Sequence, residues 1–139
     1  MIILDTNVIS ALMHWPVEAR IRAWLDVQAS HSIWTSAITV MELRSGLLIL
    51  PAGKRRAALS EALEAVLAQD IEGRVASFDV AAAEQAASLW ATRRKRGRSV
   101  EIRDTMIAGI VLASRASLAT RNITHFADLG VPVVNPWYV

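Results

Sequence analysis

Five short strand-like segments alternate along this 139-residue chain with longer stretches of helical periodicity, and that alternation limits the fold more than any other feature. Met1–Leu4 is a four-residue apolar run of the kind that forms a buried strand. His31–Thr35, Arg74–Phe78, Ser117–Thr120 and Val131–Val134 are the other strand candidates, and Pro132 makes the last an edge strand. Between them, Asn7–Met13 reads as a short helix. Pro16 sits at a favoured first-turn position, and Val17, Ile21, Trp24 and Leu25 recur at i, i+4, i+7 and i+8 in a helix over Val17–Ala29. Ser36 caps a helix running to about Leu50, where Pro51 and Gly53 stop it. Lys54–Ile71 follows, with Leu59, Leu63, Val66 and Leu67 on one face. Asp79 caps an alanine-rich helix to about Arg96, Gly97 breaks it, and a last helix covers Ile102–Arg115. Strands alternating with helices imply a parallel sheet covered on both faces, so the class is α/β, in one domain over residues 1–139.

The chain is 53% hydrophobic and 20% charged, which excludes a disordered protein. No apolar run approaches the roughly 18 to 20 residues of a membrane span, and no basic or small-residue segment at the start marks a secretory signal. Cysteine is absent, so disulfide and thiolate chemistry are excluded. These features fit a cytoplasmic protein without a membrane partner.

Three acids stand out. Asp5 ends the first strand, and open α/β sheets bind ligands at the carboxyl ends of their strands. Glu42 and Asp104 each interrupt an apolar helical pattern. Each also fits a purely structural role: Asp5 as a helix cap, Glu42 as a solvent-facing residue or the partner of an Arg, Asp104 as an acid opposing a helix dipole. If the three converge, their repulsion raises at least one pKa, and a hard cation such as Mg²⁺ or Mn²⁺ relieves it. Such a site needs no histidine, and His14, His31 and His125 form no metal-spaced pair. Without these three, the 13 acidic residues fall to ten against 15 basic ones, a balance suited to a polyanion.

The segments around these acids resemble a known family. Ile3-Leu4-Asp5-Thr6-Asn7-Val8-Ile9-Ser10 resembles the first motif of PIN-domain ribonucleases, and Ser36 through Gly46, containing Glu42, resembles the second. Asp104-Thr105-Met106-Ile107-Ala108 resembles the third, Ala119-Thr120-Arg121-Asn122 the fourth, and Val134-Asn135-Pro136-Trp137 the usual end of VapC-type toxins, including their FitB-like branch. The resemblance implies a five-stranded parallel sheet flanked by helices and an endoribonuclease dependent on Mg²⁺ or Mn²⁺. It also implies a homodimer held in check by a VapB-like or FitA-like antitoxin of a type II toxin–antitoxin system, in a toxin–antitoxin hetero-oligomer that meets DNA only through the antitoxin. Carried over by position, Asp5 and Asp104 are the principal metal ligands, and Glu42 completes or supports the set and orients the attacking water. Thr6 and Thr120 position these carboxylates, and Asn7 stabilises the turn. Asn122 departs from the family members that carry Asp there, which leaves one firm metal and at most a weak second.

Arg93, Arg94, Lys95, Arg96 and Arg98 form a basic run that can hold RNA phosphates, serve as a solvated helix end or touch the antitoxin. Lys54-Arg55-Arg56 opens a helix against the dipole preference. Trp24 and Trp90 are read as core residues, as are Leu47 and Leu48, whereas Trp15 is read as part of an antitoxin or dimer surface. Two other functions compete. An aspartyl phosphatase of the haloacid-dehalogenase type needs a second Asp where Asn7 stands. A weakly active or inactive PIN protein can act mainly as the antitoxin's partner in an autoregulatory DNA-binding complex.

Overall fold

All five expected strands form, and each pairs in parallel with its neighbours. In the computed structural model, which describes residues 1–139, they are β1 (Ile2–Leu4), β2 (Ile33–Ser36), β3 (Val75–Ala76), β4 (Ser117–Ala119) and β5 (Val133–Val134). The helices are α1 (Thr6–Met13), α2 (Ala19–Asp26), α3 (Ala37–Ile49), α4 (Lys54–Ala65), α5 (Val80–Lys95) and α6 (Ile102–Ser114). The α/β class and the five-stranded parallel sheet hold.

The strand order is β3-β2-β1-β4-β5. Central β1 aligns Ile3 with Trp34 on one side and with Leu118 on the other. The chain winds outward from β1 in one direction through β2 and β3, then returns to add β4 and β5 on the opposite side. The reversal falls between β1 and β4, and in such sheets that crevice is where ligands bind.

Alternation along β1 supplies both faces of the sheet. Leu4 packs into a core with Val8, Ile9, Leu12, Ile21, Trp24, Leu25, Leu63 and Trp137, under α1, α2 and α4. Ile3 packs into a second core with Ala82, Ile107, Ile110, Leu118 and Phe126, under α5 and α6. Helix α3 serves both, giving Leu47 to the first core and Ile38 to the second. Helices α5 and α6 approach so closely at Gly109 that an added Cβ would lie 2.5 Å from the Ala82 carbonyl oxygen. The alanine-rich sequence of α5 is what permits this approach.

The caps read from the sequence form as expected. The Ser36 hydroxyl accepts the Thr39 N–H at 3.0 Å, and Asp79 accepts the Ala82 N–H at 2.9 Å. Gly97, at a φ of 68°, turns the chain out of α5. Helix α2 is shorter than its periodicity predicts, and Pro16 lies outside it. Its cap position, Glu18, makes no side-chain cap because that carboxylate instead accepts the Trp137 Nε1–H at 3.0 Å. Helix α4 ends in one wide turn, Val66–Asp70, where the Ile71 N–H reaches back to the Val66 carbonyl. Trp90 and Leu48 are exposed rather than core, at 44% and 67%. No helix is long and apolar enough to cross a membrane.

Candidate active site

Asp5 leaves β1 beside β4, where its N–H still bonds the Ala119 carbonyl at 2.9 Å. Its side chain is almost wholly buried, and every hydrogen bond it receives is local to the crevice. Oδ1 accepts the Thr6 N–H at 2.8 Å, so Asp5 does cap α1. Oδ2 accepts the Thr120 hydroxyl at 2.7 Å and the Asn7 amide at 3.3 Å. Capping the helix and facing the crevice are therefore properties of one carboxylate. Burial pushes the Asp5 pKa above its ordinary value, with the Asp104 charge adding to the effect. The hydrogen bonds from Thr120 and Thr6, and the nearby His125, oppose it. Asn7 reaches further, since its Oδ1 accepts the Arg121 N–H at 3.1 Å and ties α1 to the loop after β4.

Glu42 comes from α3. Its Oε1 accepts the Thr6 hydroxyl at 3.1 Å, and its Oε2 lies 3.7 Å from Arg103. The sequence offered an Arg partner, but it is not the adjacent Arg44, which pairs with Glu64. Nor is α3 largely buried: Met41, Leu48 and Ile49 face outward, which lowers the cost of a charge on this helix. The Glu42 pKa is also raised, by burial first and then by Asp5 and Asp104, against the Thr6 hydroxyl and Arg103.

Asp104 occupies the first turn of α6, the dipole-favoured position expected for it. Its Oδ2 lies 2.8 Å from His125 Nδ1. Sequence alone assigns His125 no chemistry, because one histidine in a loop carries no spacing signal. Asn122 is exposed and caps nothing with its side chain, but its N–H donates to the Thr120 hydroxyl oxygen at 3.0 Å.

The basic run divides. Arg93 is 1% exposed and cannot reach an RNA phosphate, which corrects its assignment as an RNA contact. Its Nε and Nη2 each donate to Asp128 at 2.9 Å, Nη1 donates to the Thr105 hydroxyl at 2.9 Å, and Nη2 also donates to the His125 carbonyl at 2.7 Å. Arg93 therefore holds the residue after Asp104 and the backbone of Asp104's partner at once. Arg98 joins Asp128 at 3.2 Å, and Arg94 lies over the Trp90 ring. Lys95 and Arg96 alone in the run have no side-chain partner.

Asp5, Glu42 and Asp104 thus arrive from three elements and feel one another's charge. Each carboxylate also keeps a local partner, and no three Asp, Glu or His side chains stand close enough to ligate one ion. Their donors are all carboxylate oxygens, the chemistry that suits Mg²⁺ or Mn²⁺ rather than a soft metal.

Known proteins resemble this chain along its whole length. The PIN domain pattern matches residues 2–131. The chain is 42% identical over 137 residues to plasmid stability protein StbB of Pseudomonas syringae pv. tomato, covering 99% of each chain. It is 39% identical over 137 residues to VapC ribonuclease Y4jK of Sinorhizobium fredii, covering 99% of this chain and 98% of that one. Toxin FitB of Neisseria gonorrhoeae is 36% identical over 138 residues, 99% of each chain. The crystal structure of FitAcB from that organism superposes with a TM-score of 0.88 over the whole of both chains, at 35% identity.

Proposed function

This chain belongs to the PIN-domain family, and from that premise we propose that it is a toxin of a toxin–antitoxin system, an endoribonuclease that cuts RNA phosphodiester bonds with a divalent cation and is restrained by its antitoxin. The observation that carries the reading is the crevice at the switch point between β1 and β4, where Thr6 bonds both Asp5 and Glu42, Thr120 bonds Asp5, and Asp104 lies near enough for its charge to be felt. The relatives named as a VapC ribonuclease and as Toxin FitB support it along their full length.

Asp5 and Asp104 are the residues that would hold Mg²⁺, with Mn²⁺ as a substitute, and Glu42 would support the set. A cation held there supplies an activated water and neutralises charge on the phosphodiester. The chain's own residues do the rest. Thr120, Asn7 and the Thr6 N–H fix Asp5 in one orientation, and the Thr6 hydroxyl fixes Glu42. Glu42, with its raised affinity for a proton, orients the attacking water and accepts its proton. His125 steadies Asp104, and Arg93 steadies both.

The antitoxin is the natural cover for exposed apolar surface. Trp15 is 91% exposed beside a cleft lined by Leu12, Met13, Val17 and Val66. Met41, Leu48 and Ile49 on α3 offer a second apolar strip, suited to a homodimer. DNA is met through the antitoxin alone.

Purified, antitoxin-free protein incubated with structured RNA tests the reading. Cleavage should require Mg²⁺ or Mn²⁺, stop with EDTA and be lost in Asp5→Asn. Cleavage that survives EDTA or this substitution defeats the metal-nuclease assignment. The rival reading, a chain that serves mainly as the antitoxin's partner in a DNA-binding complex, predicts no cleavage at all.

A further inference from the structure

Next to Asp5 the surface opens into a cleft of roughly 330 Å³, lined by Asn7, Ser10, His14, Glu18, Arg121 and Trp137 among others. Its floor is unusually well fixed. Trp137 is 6% exposed, its Nε1 donates to Glu18 at 3.0 Å, its N–H donates to Asn135 at 3.0 Å, and its carbonyl accepts from Arg20 at 3.1 Å. The Arg121 guanidinium lies over this indole, 3.8 Å from the ring centroid. Arg121 is exposed and forms no salt bridge, so its charge is free to meet a ligand.

Its position relative to the acids is fixed too. Arg121 directly follows Thr120, whose hydroxyl binds Asp5, and the Arg121 N–H is held by Asn7, whose amide also binds Asp5. A guanidinium clamped on one face by an indole presents its other face as a flat, charged platform. Nucleobases released from a helix stack on such planes. The one carboxylate in the cleft, Glu18, disfavours a bare phosphate there, whereas Asn7, Ser10 and His14 offer donors and acceptors to a base edge.

We propose that this cleft receives the nucleobase beside the scissile phosphodiester, stacked on the outer face of Arg121. The assignment rests on the nuclease reading above and adds to it a specificity-determining residue. Arg121 then selects unpaired nucleotides, because a base inside a duplex cannot enter the stack.

The experiment measures binding of a labelled, mixed-sequence, single-stranded RNA in EDTA, by fluorescence anisotropy, together with kcat and KM for cleavage in Mg²⁺. Arg121→Ala and Arg121→Lys should both bind about tenfold more weakly, with the loss of kcat/KM residing mainly in KM, because lysine restores the charge but not the plane. On the wild-type protein, removing the single base next to the mapped cleavage site should weaken binding equally, a readout independent of how any variant folds. Wild-type affinity in Arg121→Lys, or indifference to the missing base, overturns the proposal while leaving the nuclease reading intact. An Arg121→Ala protein that handles RNA normally and only loses antitoxin affinity overturns it as well. A wild-type protein that neither binds nor cuts RNA defeats both readings.

Discussion

Arg93 grips Asp128 through two hydrogen bonds of 2.9 Å, and this fork lies behind the Asp104–His125 pair rather than on the surface where a basic run is expected. Four of the five guanidinium N–H groups are used, in a side chain that is 1% exposed. Breaking one side of a buried pair strands the other charge. Asp128→Asn should therefore cost about 3 kcal/mol, read from urea unfolding. Arg93→Lys should not restore stability, because an ammonium cannot form the fork. A loss below about 1 kcal/mol would show that Asp128 is dispensable.

The same pair sets a pH dependence. Hydrogen bonds from Arg93 hold the Asp128 pKa below its ordinary value, more strongly than its partial burial raises it. A carboxylate with a lowered folded-state pKa contributes stability above its unfolded pKa and loses it as pH falls through the folded value. The gap in Tm between wild type and Asp128→Asn should therefore be full at neutral pH and narrow below about pH 4. A gap that widens on acidification contradicts this assignment.

Gly109 is needed for space. A Cβ there meets the Ala82 carbonyl oxygen at 2.5 Å, the Ala86 Cβ at 2.7 Å and the Ala86 nitrogen at 3.0 Å. Two of these are backbone atoms of α5, so the helices must separate. Gly109→Ala gains about 1 kcal/mol of helix propensity but should lose more to overpacking, for a net loss of about 2 kcal/mol. Scanning calorimetry should show Tm lower by roughly 5 to 10 °C. An unchanged or higher Tm would mean that α5 and α6 yield freely.

Much of this arrangement was legible because it is local. Asp5 ends an apolar strand, Ser36 and Asp79 stand at cap positions, and strands alternate with helices at spacings that only a parallel sheet satisfies. What escaped depends on which side of a helix a residue faces. Arg93 reads as part of a charge run, yet it continues the stripe of Ala82, Ala86 and Leu89 toward α6, a spacing visible in the sequence but outweighed by charge. Trp90, one position off that stripe, is pushed outward, and Leu48 fails as core for the same reason beside buried Leu47. His125 left no such trace. Its partner lies 21 residues away across β4, and only the folded loop brings the two together.

His125→Ala tests whether that pairing matters for catalysis. The ring is half exposed, so its loss should leave the fold nearly unchanged, with Tm within a few degrees. Asp104 would lose the partner that orients it, and residues in such supporting positions typically carry 10- to 100-fold effects. The cleavage rate should fall by about that factor, and more metal should be needed for half-maximal rate. Full activity in His125→Ala would reduce the 2.8 Å contact to a surface hydrogen bond.

Asn122 bears on how much charge the site can muster. Its backbone N–H donates to the Thr120 hydroxyl oxygen, and that hydroxyl donates to Asp5, so the backbone at 122 is anchored one side chain away from the buried acid. Asp5 and Glu42 already pay for burial and mutual repulsion with raised pKa values. A further negative charge should add repulsion in the metal-free protein and attraction for a divalent cation. Asn122→Asp is therefore expected to lower the metal-free Tm slightly and to bind Mn²⁺ more tightly in calorimetry, by about 1 kcal/mol or fivefold. The metal-bound Tm should recover to the wild-type value or above. Equal Mn²⁺ affinity in the two proteins would place residue 122 outside the electrostatic reach of the site, and the single-metal expectation would then rest on Asp5, Glu42 and Asp104 alone.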